Sequence, residues 1–417
     1  MEQRTFYPVG QGAFYSETHK LGDRTFTMVY DCGSSTLKKN EMVKIIENAF
    51  EENSIIDVLF ISHFHADHVN GIELLAKRCK IKLVILPLIT NEEMVLVNAI
   101  NLSVYGFDST RIFERPEDFF GKRTSFIGIL QTDDEDSDKH EFVSLSEFNE
   151  ANEKTRRHRE ETDSKGDGAN IKVEKLDEKI TKRKRSGTHF YISDAVAQEH
   201  YTNEELTDCW CFIPFNYRAD ERMEKFEYAL FKCGLRIEDV EIRIAKGCLG
   251  EDITRVRKAY KAACGGLNDG SMILYSGREK NDTIYMFDLS CLRNYFKMKK
   301  HERFRLAFWG EAQSGCLYMG DLNLNRDSIV ADIKRKLGQH LNFVGTLQVP
   351  HHGSKHNFSA DILLPNMFYA VFSYGKNNSY KHPSVEVLRQ VLSKHIFPLL
   401  VIEDSTSQVI QNGRLAE

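Results

Sequence analysis

The sequence predicts an α/β sandwich, and three observations carry that prediction. Strand-like and helix-like segments alternate from Arg24 to Pro87. Ile55 to Ser62 is a continuous run rich in branched residues, the pattern of a strand buried on both faces. The alternation resumes at Ser271 and continues through the C-terminal part. Strand–helix alternation of this kind builds layers of sheet and helix.

Taken in order, Arg24 to Asp31 alternates apolar and polar residues, as a strand does, and Gly33 follows as a turn. Lys39 to Glu51 places Met42, Ile45, Ile46 and Phe50 at helical spacing. The buried strand Ile55 to Ser62 comes next, then a helix over Val69 to Arg78 and a strand over Ile81 to Pro87. Residues 130 to 187 break the pattern. Asp133 to Asp138 is acidic, Glu150 to Gly187 is dominated by charge, and the stretch closes with Lys182-Arg183-Lys184-Arg185. Such composition predicts a solvated, mobile segment, with a basic arm for nucleic acid as the sharper reading. Order returns with strands over Phe190 to Ser193 and Cys209 to Pro214, and helices over Glu221 to Cys233 and Glu251 to Ala263.

Composition excludes several classes. The chain has 417 residues, 41% hydrophobic and 28% charged, with a formal charge of −5. That is neither a collagen-like nor a wholly disordered chain, and it does not bind DNA by bulk charge. No apolar run reaches the roughly 18 to 20 residues needed to span a bilayer. The first residues lack the basic and apolar pattern of a signal peptide. Nine cysteines without framework spacing read as reduced thiols, Cys209 and Cys211 included. The expectation is a cytoplasmic protein with no membrane contact.

The chemistry concentrates in Ser62-His63-Phe64-His65-Ala66-Asp67-His68, directly after the buried strand. His63 and His65 are two apart, so in an extended loop both point the same way. Imidazoles with a carboxylate are a natural ligand set for zinc-like ions. Four further segments stand out: Val9-Gly10-Gln11-Gly12, Leu317 to Leu322 with its Gly320-Asp321, Pro350-His351-His352-Gly353-Ser354, and Ser373 through Asn378 to Lys381-His382-Pro383.

His63, His65, Asp67 and His68 resemble the signature of the metallo-β-lactamase fold hydrolases. The remaining segments, with Asn268-Asp269-Gly270-Ser271, resemble the branch found in competence (DNA-uptake channel) proteins and their soluble relatives. The resemblance implies an αββα sandwich whose core is residues 1–105 and 266–417. Residues 106–265 would be an insertion, mobile over 130–187 and an ordered cap over 188–265. It implies two divalent ions, zinc first, with manganese or magnesium as alternatives. His63 and His65 would bind one ion and Asp67 and His68 the other, with Asp321 bridging and His351 or His352 adding a ligand. The family's usual third histidine for the first ion is missing. His301 is the nearest upstream of Asp321, while His189 and His200 read as structural.

Asp31 would orient the metal loop from behind. The two metals would activate a shared water, oriented by Asp67. His382 would steady or protonate the leaving oxygen, and Lys355, Asn378 and Lys381 would contact substrate. The expected function is a metal-dependent phosphodiesterase, a nuclease, with nucleic acid as substrate. The alternatives are a small-molecule hydrolase, acting on a cyclic nucleotide or phosphoester, and a subunit active only within a bacterial antiviral defence complex. In that last case the 106–265 stretch would carry the partner surface.

Overall fold

A computed structural model describes residues 3–132, 141–145, 175–192, 209–218, 220–245, 250–263, 270–279, 284–289, 310–326 and 328–415. The strands in chain order are β1 (Gln3–Phe6), β2 (Phe14–Leu21), β3 (Arg24–Cys32), β4 (Ile55–Phe60), β5 (Lys80–Pro87), β6 (Ser125–Ile129), β7 (Phe142–Ser144), β8 (Ile180–Lys184), β9 (His189–Tyr191), β10 (Trp210–Tyr217), β11 (Ser271–Arg278), β12 (Ile284–Leu289), β13 (Gly310–Gln313), β14 (Gly315–Tyr318), β15 (Val344–Gln348), β16 (Tyr369–Ser373), β17 (Phe397–Val401) and β18 (Val409–Leu415). They form a ten-stranded sheet, ordered β13-β12-β18-β1-β2-β3-β4-β5-β6-β8, and an eight-stranded sheet, ordered β17-β16-β15-β14-β11-β10-β9-β7.

The period of two along each strand builds the layers. Tyr30, Phe60 and Ile85 of the first sheet face Phe212, Leu274 and Tyr318 of the second. Their neighbours Val29, Leu59 and Val84 point outward and are covered by Met42, Ile46, Ile72 and Leu75 of the helices Lys39–Ala49 and Ile72–Arg78. On the far side, Ile273, Leu317 and Leu347 are covered by Ile333, Val387 and Val391 of the helices Ile329–Leu337 and Val385–Ser393. The result is the expected order of helix, sheet, sheet and helix. Buried polar groups also join the sheets. Arg4 donates to Glu17 Oε1 at 2.6 Å, and Glu17 accepts from Ser276 Oγ at 2.6 Å and Tyr318 OH at 2.9 Å.

The stretch 106–265 departs from the expected insertion. β6 and β8 extend the first sheet, while β7, β9 and β10 extend the second. β10 pairs with β11 along its whole length, from Trp210↔Arg278 to Tyr217↔Ser271. The segment expected as a cap is therefore partly core, because Phe212 packs between the sheets and Cys211 and Ile213 pack behind the second. Its helices, Asp220–Lys232, Ile237–Ala245 and Ile253–Ala262, do gather outside the sandwich. There Phe226, Leu230, Val240 and Val256 enclose Leu96 and Ile100 of the helix Asn91–Ile100.

The basic run is not a loose arm either. Lys182, Arg183 and Lys184 lie in β8 at the edge of the first sheet, where charge keeps an unpaired strand soluble. The expected mobility of 130–187 falls largely on residues outside those described. Among the described residues, no helix is long and apolar enough to cross a membrane.

Candidate metal centre

β3, β4 and β5 run parallel, as do β14, β15 and β16. The loops leaving β3, β4, β14, β15 and β16 meet at one edge of the sandwich, as ligand-binding loops of parallel sheets do. The sheets are stitched together there, since Met272 N donates to Ser62 O at 2.7 Å and Tyr30 OH to Met272 O at 2.8 Å.

Asp31 is the penultimate residue of β3 and is fully buried with φ 54°. Its Oδ1 accepts from Ser62 N at 2.7 Å and its Oδ2 from Ser62 Oγ at 2.6 Å, so it anchors the first residue of the histidine loop. Oδ2 also meets His68 Nδ1 at 2.8 Å. A carboxylate can only accept, so His68 donates from Nδ1 and carries its lone pair on Nε2. Gly33 has no substitute nearby, because a Cβ there would lie 2.6 Å from the Asp67 carbonyl. Ala13, just after the Val9–Gly12 segment, donates its N–H to Asp67 O at 3.2 Å. The amino-terminal motif therefore supports the loop and brings no side chain to the ligand cluster.

Asp321 follows β14 and is 1% exposed. Its N–H donates to Ser271 Oγ at 3.3 Å, the role of the serine in the expected Asn268–Ser271 motif, whose Asn268 and Asp269 lie outside the described residues. The two carboxylate oxygens face different histidines. Oδ1 lies 3.2 Å from His68 Nε2 and 4.0 Å from His352 Nε2. Oδ2 lies 3.8 Å from His351 Nδ1 and 4.0 Å from His63 Nε2. His65 stacks edge-on to His63, with ring centroids 4.8 Å apart. Asp67 joins the Oδ1 side, 3.5 Å from His352 Nε2.

The expectation left open whether His351 or His352 is the ligand, and it lacked a third histidine for the first ion. Both histidines reach the cluster, one toward each oxygen of Asp321. Successive left-handed residues, φ 48° and 57°, splay the two rings. His301, the weaker candidate upstream, lies outside the described residues.

These residues fit a metal. His63 Nε2, His65 Nδ1, Asp67 Oδ1, His68 Nε2, His351 Nδ1 and His352 Nε2 are all buried without a hydrogen-bond partner. His352 Nδ1 meets the Ser373 carbonyl at 2.8 Å and must donate to it, so its Nε2 turns a lone pair toward Asp67. His68 does the same toward Asp321. A lone pair against a carboxylate is repulsive until a proton on the ring or a metal cation lies between them. The electrostatics divide the histidines. Against burial, Asp321 and Asp67 raise His352 above the usual imidazole range. Burial, with His68 and His65 adding to it, holds His63 well below the usual imidazole range, and burial brings His65 to about 4. Burial opposes charge on His68, yet Asp321 and Asp31 raise it well above that range. Asp67, His68, Asp321 and His352 present ligand atoms that all lie within 4.8 Å of one another.

Two supporting residues escaped the sequence reading. Asn101 is fully buried; its Oδ1 accepts from Ala66 N at 2.8 Å and its Nδ2 donates to Phe64 O at 2.8 Å, clamping the histidine loop. Gln348 Oε1 accepts from Met319 N at 2.7 Å and Gly320 N at 2.9 Å, fixing the loop of Asp321. Neither has a sequence signal, being a lone amide. Tyr105 is a third omission, since the Asp67 charge, with burial, pushes its phenol well above the usual range.

The remaining expected residues divide. The His382 ring lies 6.1 Å from that of His351, at the rim of the cluster. Burial, with His352 and His351 adding to it, lowers it to about 3. That shift favours the neutral ring, which fits the first of the two expected roles, steadying the leaving oxygen by a hydrogen bond. Asn378 is spent on its own loop, donating to Gly375 O at 2.6 Å and His382 O at 2.8 Å and accepting from His382 N at 2.8 Å. It positions His382 and has no amide hydrogen left for substrate. Lys355 and Lys381 are exposed on the loops beside the cluster. A cleft open to solvent runs from His63 and His65 past Ile89, Leu96 and Val97 to Glu93 and Arg218.

A mixed α/β sandwich with histidines and carboxylates gathered at the loop edge defines a class of metal-binding α/β proteins. Residues 21–106 match the family model of the Metallo-beta-lactamase superfamily. That match, with the ligand cluster, suggests a metal-dependent hydrolase using divalent ions. No curated protein matches the chain.

Proposed function

We propose that the chain is a two-metal phosphodiesterase acting on nucleic acid, with zinc the first choice of metal and manganese or magnesium the alternatives. The observation that carries this reading is the sorting of ligands about Asp321. His63, His65 and His351 would hold one ion, and Asp67, His68 and His352 the other, with one Asp321 oxygen for each. Bound divalent ions supply Lewis acidity and a nucleophile at neutral pH.

The chain's own residues do the rest. Asp31, Asn101 and Gln348 hold the ligand loops against displacement. Asp67 keeps Oδ1 free of protein hydrogen bonds to orient the attacking group. Neutral His382 donates a hydrogen bond to the leaving oxygen. The basic run supports a polyanionic substrate. Phe60, Ile85, Ile127 and Lys182 lie in register across β4, β5, β6 and β8. Arg185 therefore ends near the level of the histidine loop, three strand spacings or roughly 14 Å away, while Lys184 beside it is paired with Glu141.

The test is cleavage of single- and double-stranded DNA and RNA with zinc, manganese or magnesium, comparing the full chain with Asp67→Ala. Cleavage by the full chain alone is expected. No cleavage of any nucleic acid would overturn the substrate, though not the metal site. One observation favours a second reading. The cleft beside His63 and His65 is lined largely by apolar side chains, as small-molecule pockets are. Small phosphoesters and cyclic nucleotides therefore belong in the same panel, and turnover of these alone would select a small-molecule hydrolase.

A further inference from the structure

At the other end of the second sheet lies a second buried cluster: His189 of β9, Cys211 of β10, Glu279 just after β11, and His340 of the 3-10 helix Gly338–Phe343. Each presents a ligand atom, and all four atoms lie within 4.8 Å of one another. Cys211 is fully buried and the other three are 2–6% exposed. Glu279 Oε2 lies 2.9 Å from His189 Nδ1 and 3.5 Å from His340 Nε2.

His340 supplies the decisive observation. Its Nδ1 meets the Leu337 carbonyl at 3.1 Å and must donate there, which leaves the lone pair on Nε2. That Nε2 is buried, has no hydrogen-bond partner, and points at a carboxylate oxygen. Two acceptors face each other, and a cation between them turns the repulsion into two bonds. A ring locked from behind by a backbone carbonyl is the usual preparation of a metal-ligating histidine.

From these contacts we infer that His189, Cys211, Glu279 and His340 form a zinc site separate from the catalytic edge. The ligand set of one thiolate, two imidazoles and one carboxylate suits zinc. Four protein ligands leave no open position, so the site is structural. Binding moves the Cys211 proton to solvent and ties three adjacent strands to the helix that precedes β15. The two sites are distinct. Ser271 holds Asp321 at the start of β11, and Glu279 follows its end, eight residues or roughly 26 Å away.

Cobalt(II) tests this directly, because the catalytic cluster contains no cysteine and cannot give a thiolate-to-cobalt band. The full chain, stripped by chelator and titrated to saturation with cobalt, is expected to show a near-ultraviolet charge-transfer band of the intensity of one thiolate-bound cobalt per chain. The band should be lost in Cys211→Ser and persist in Asp321→Asn. Absence of the band in the wild-type chain, or its survival in Cys211→Ser, overturns the proposal. Should Cys211→Ser fail to fold, His340→Gln keeps the thiol and must still weaken cobalt binding at least tenfold; an unchanged titration overturns the proposal equally. None of these readouts depends on hydrolytic activity.

Discussion

Two histidine clusters sit at opposite ends of β11, and they are built for opposite purposes. At the Ser271 end, Asp321 divides its oxygens between two groups of ligands, and a cleft opens beside His63 and His65. At the Glu279 end, the four buried side chains close on one another. The first arrangement leaves room for substrate, whereas the second gathers four buried ligand atoms within 4.8 Å of one another. Burial and histidine content alone do not separate them. What does is whether the ligands come from loops at the mouth of the parallel strands or, away from that mouth, from β9, β10, the end of β11 and a 3-10 helix.

The sharpest way to break the comparison is Asp321→Ala. Hydrolysis should fall at least about a thousandfold, since metal-ion catalysis supplies several kcal/mol, while the cobalt–thiolate band stays. Loss of both would join the sites. Cys211→Ser should do the reverse. A site filled at a hundred times its dissociation constant stabilises by about 2.7 kcal/mol. Denaturant unfolding of the zinc-loaded variant should show a deficit of that order, with KM unchanged for the variant that remains folded.

Asp31→Asn sharpens the first cluster further. The amide no longer offers two accepting oxygens to Ser62 and His68, and metal affinity at that edge should drop about 10- to 100-fold by competition titration. A last effect, confined to acidic pH, concerns neither cluster. Burial holds His19, beside Glu17, at about 4, against 6.5 for a free imidazole. The folded state binds the proton less readily than the unfolded one, so stability is lost as pH falls from 6.5 toward 4. The slope approaches about 1.4 kcal/mol per pH unit inside that window. Urea unfolding of wild type and His19→Gln across pH should show the slope reduced in the variant by this amount.

The catalytic edge was legible because its ligands are clustered along the chain. His63, His65, Asp67 and His68 fall within one loop, and the apolar run before them reads directly as a buried parallel strand. Asn101 and Gln348 were not legible, since a clamp is one polar residue whose partners are backbone groups elsewhere. The far cluster was hidden for the same reason. His189, Cys211, Glu279 and His340 share no motif spacing and meet only through strand pairing and one helix. The middle of the chain misled because charge dominates it. β8 carries Lys182, Arg183 and Lys184, so it looks like linker sequence, although β6 supplies its partner.

The way Asp321 gathers ligands has a consequence for synthesis. His68 and His352, which face the same oxygen, are separated by roughly 280 residues, or about 15 to 60 s of translation. β1 likewise finds β18 only when Asn412 has been made, because Gln3 pairs with it. During that interval the early histidines are exposed donors with no bridging carboxylate. The growing chain therefore holds no working centre at any intermediate length, and the hydrolase switches on only when the last third of the polypeptide has folded back onto the first.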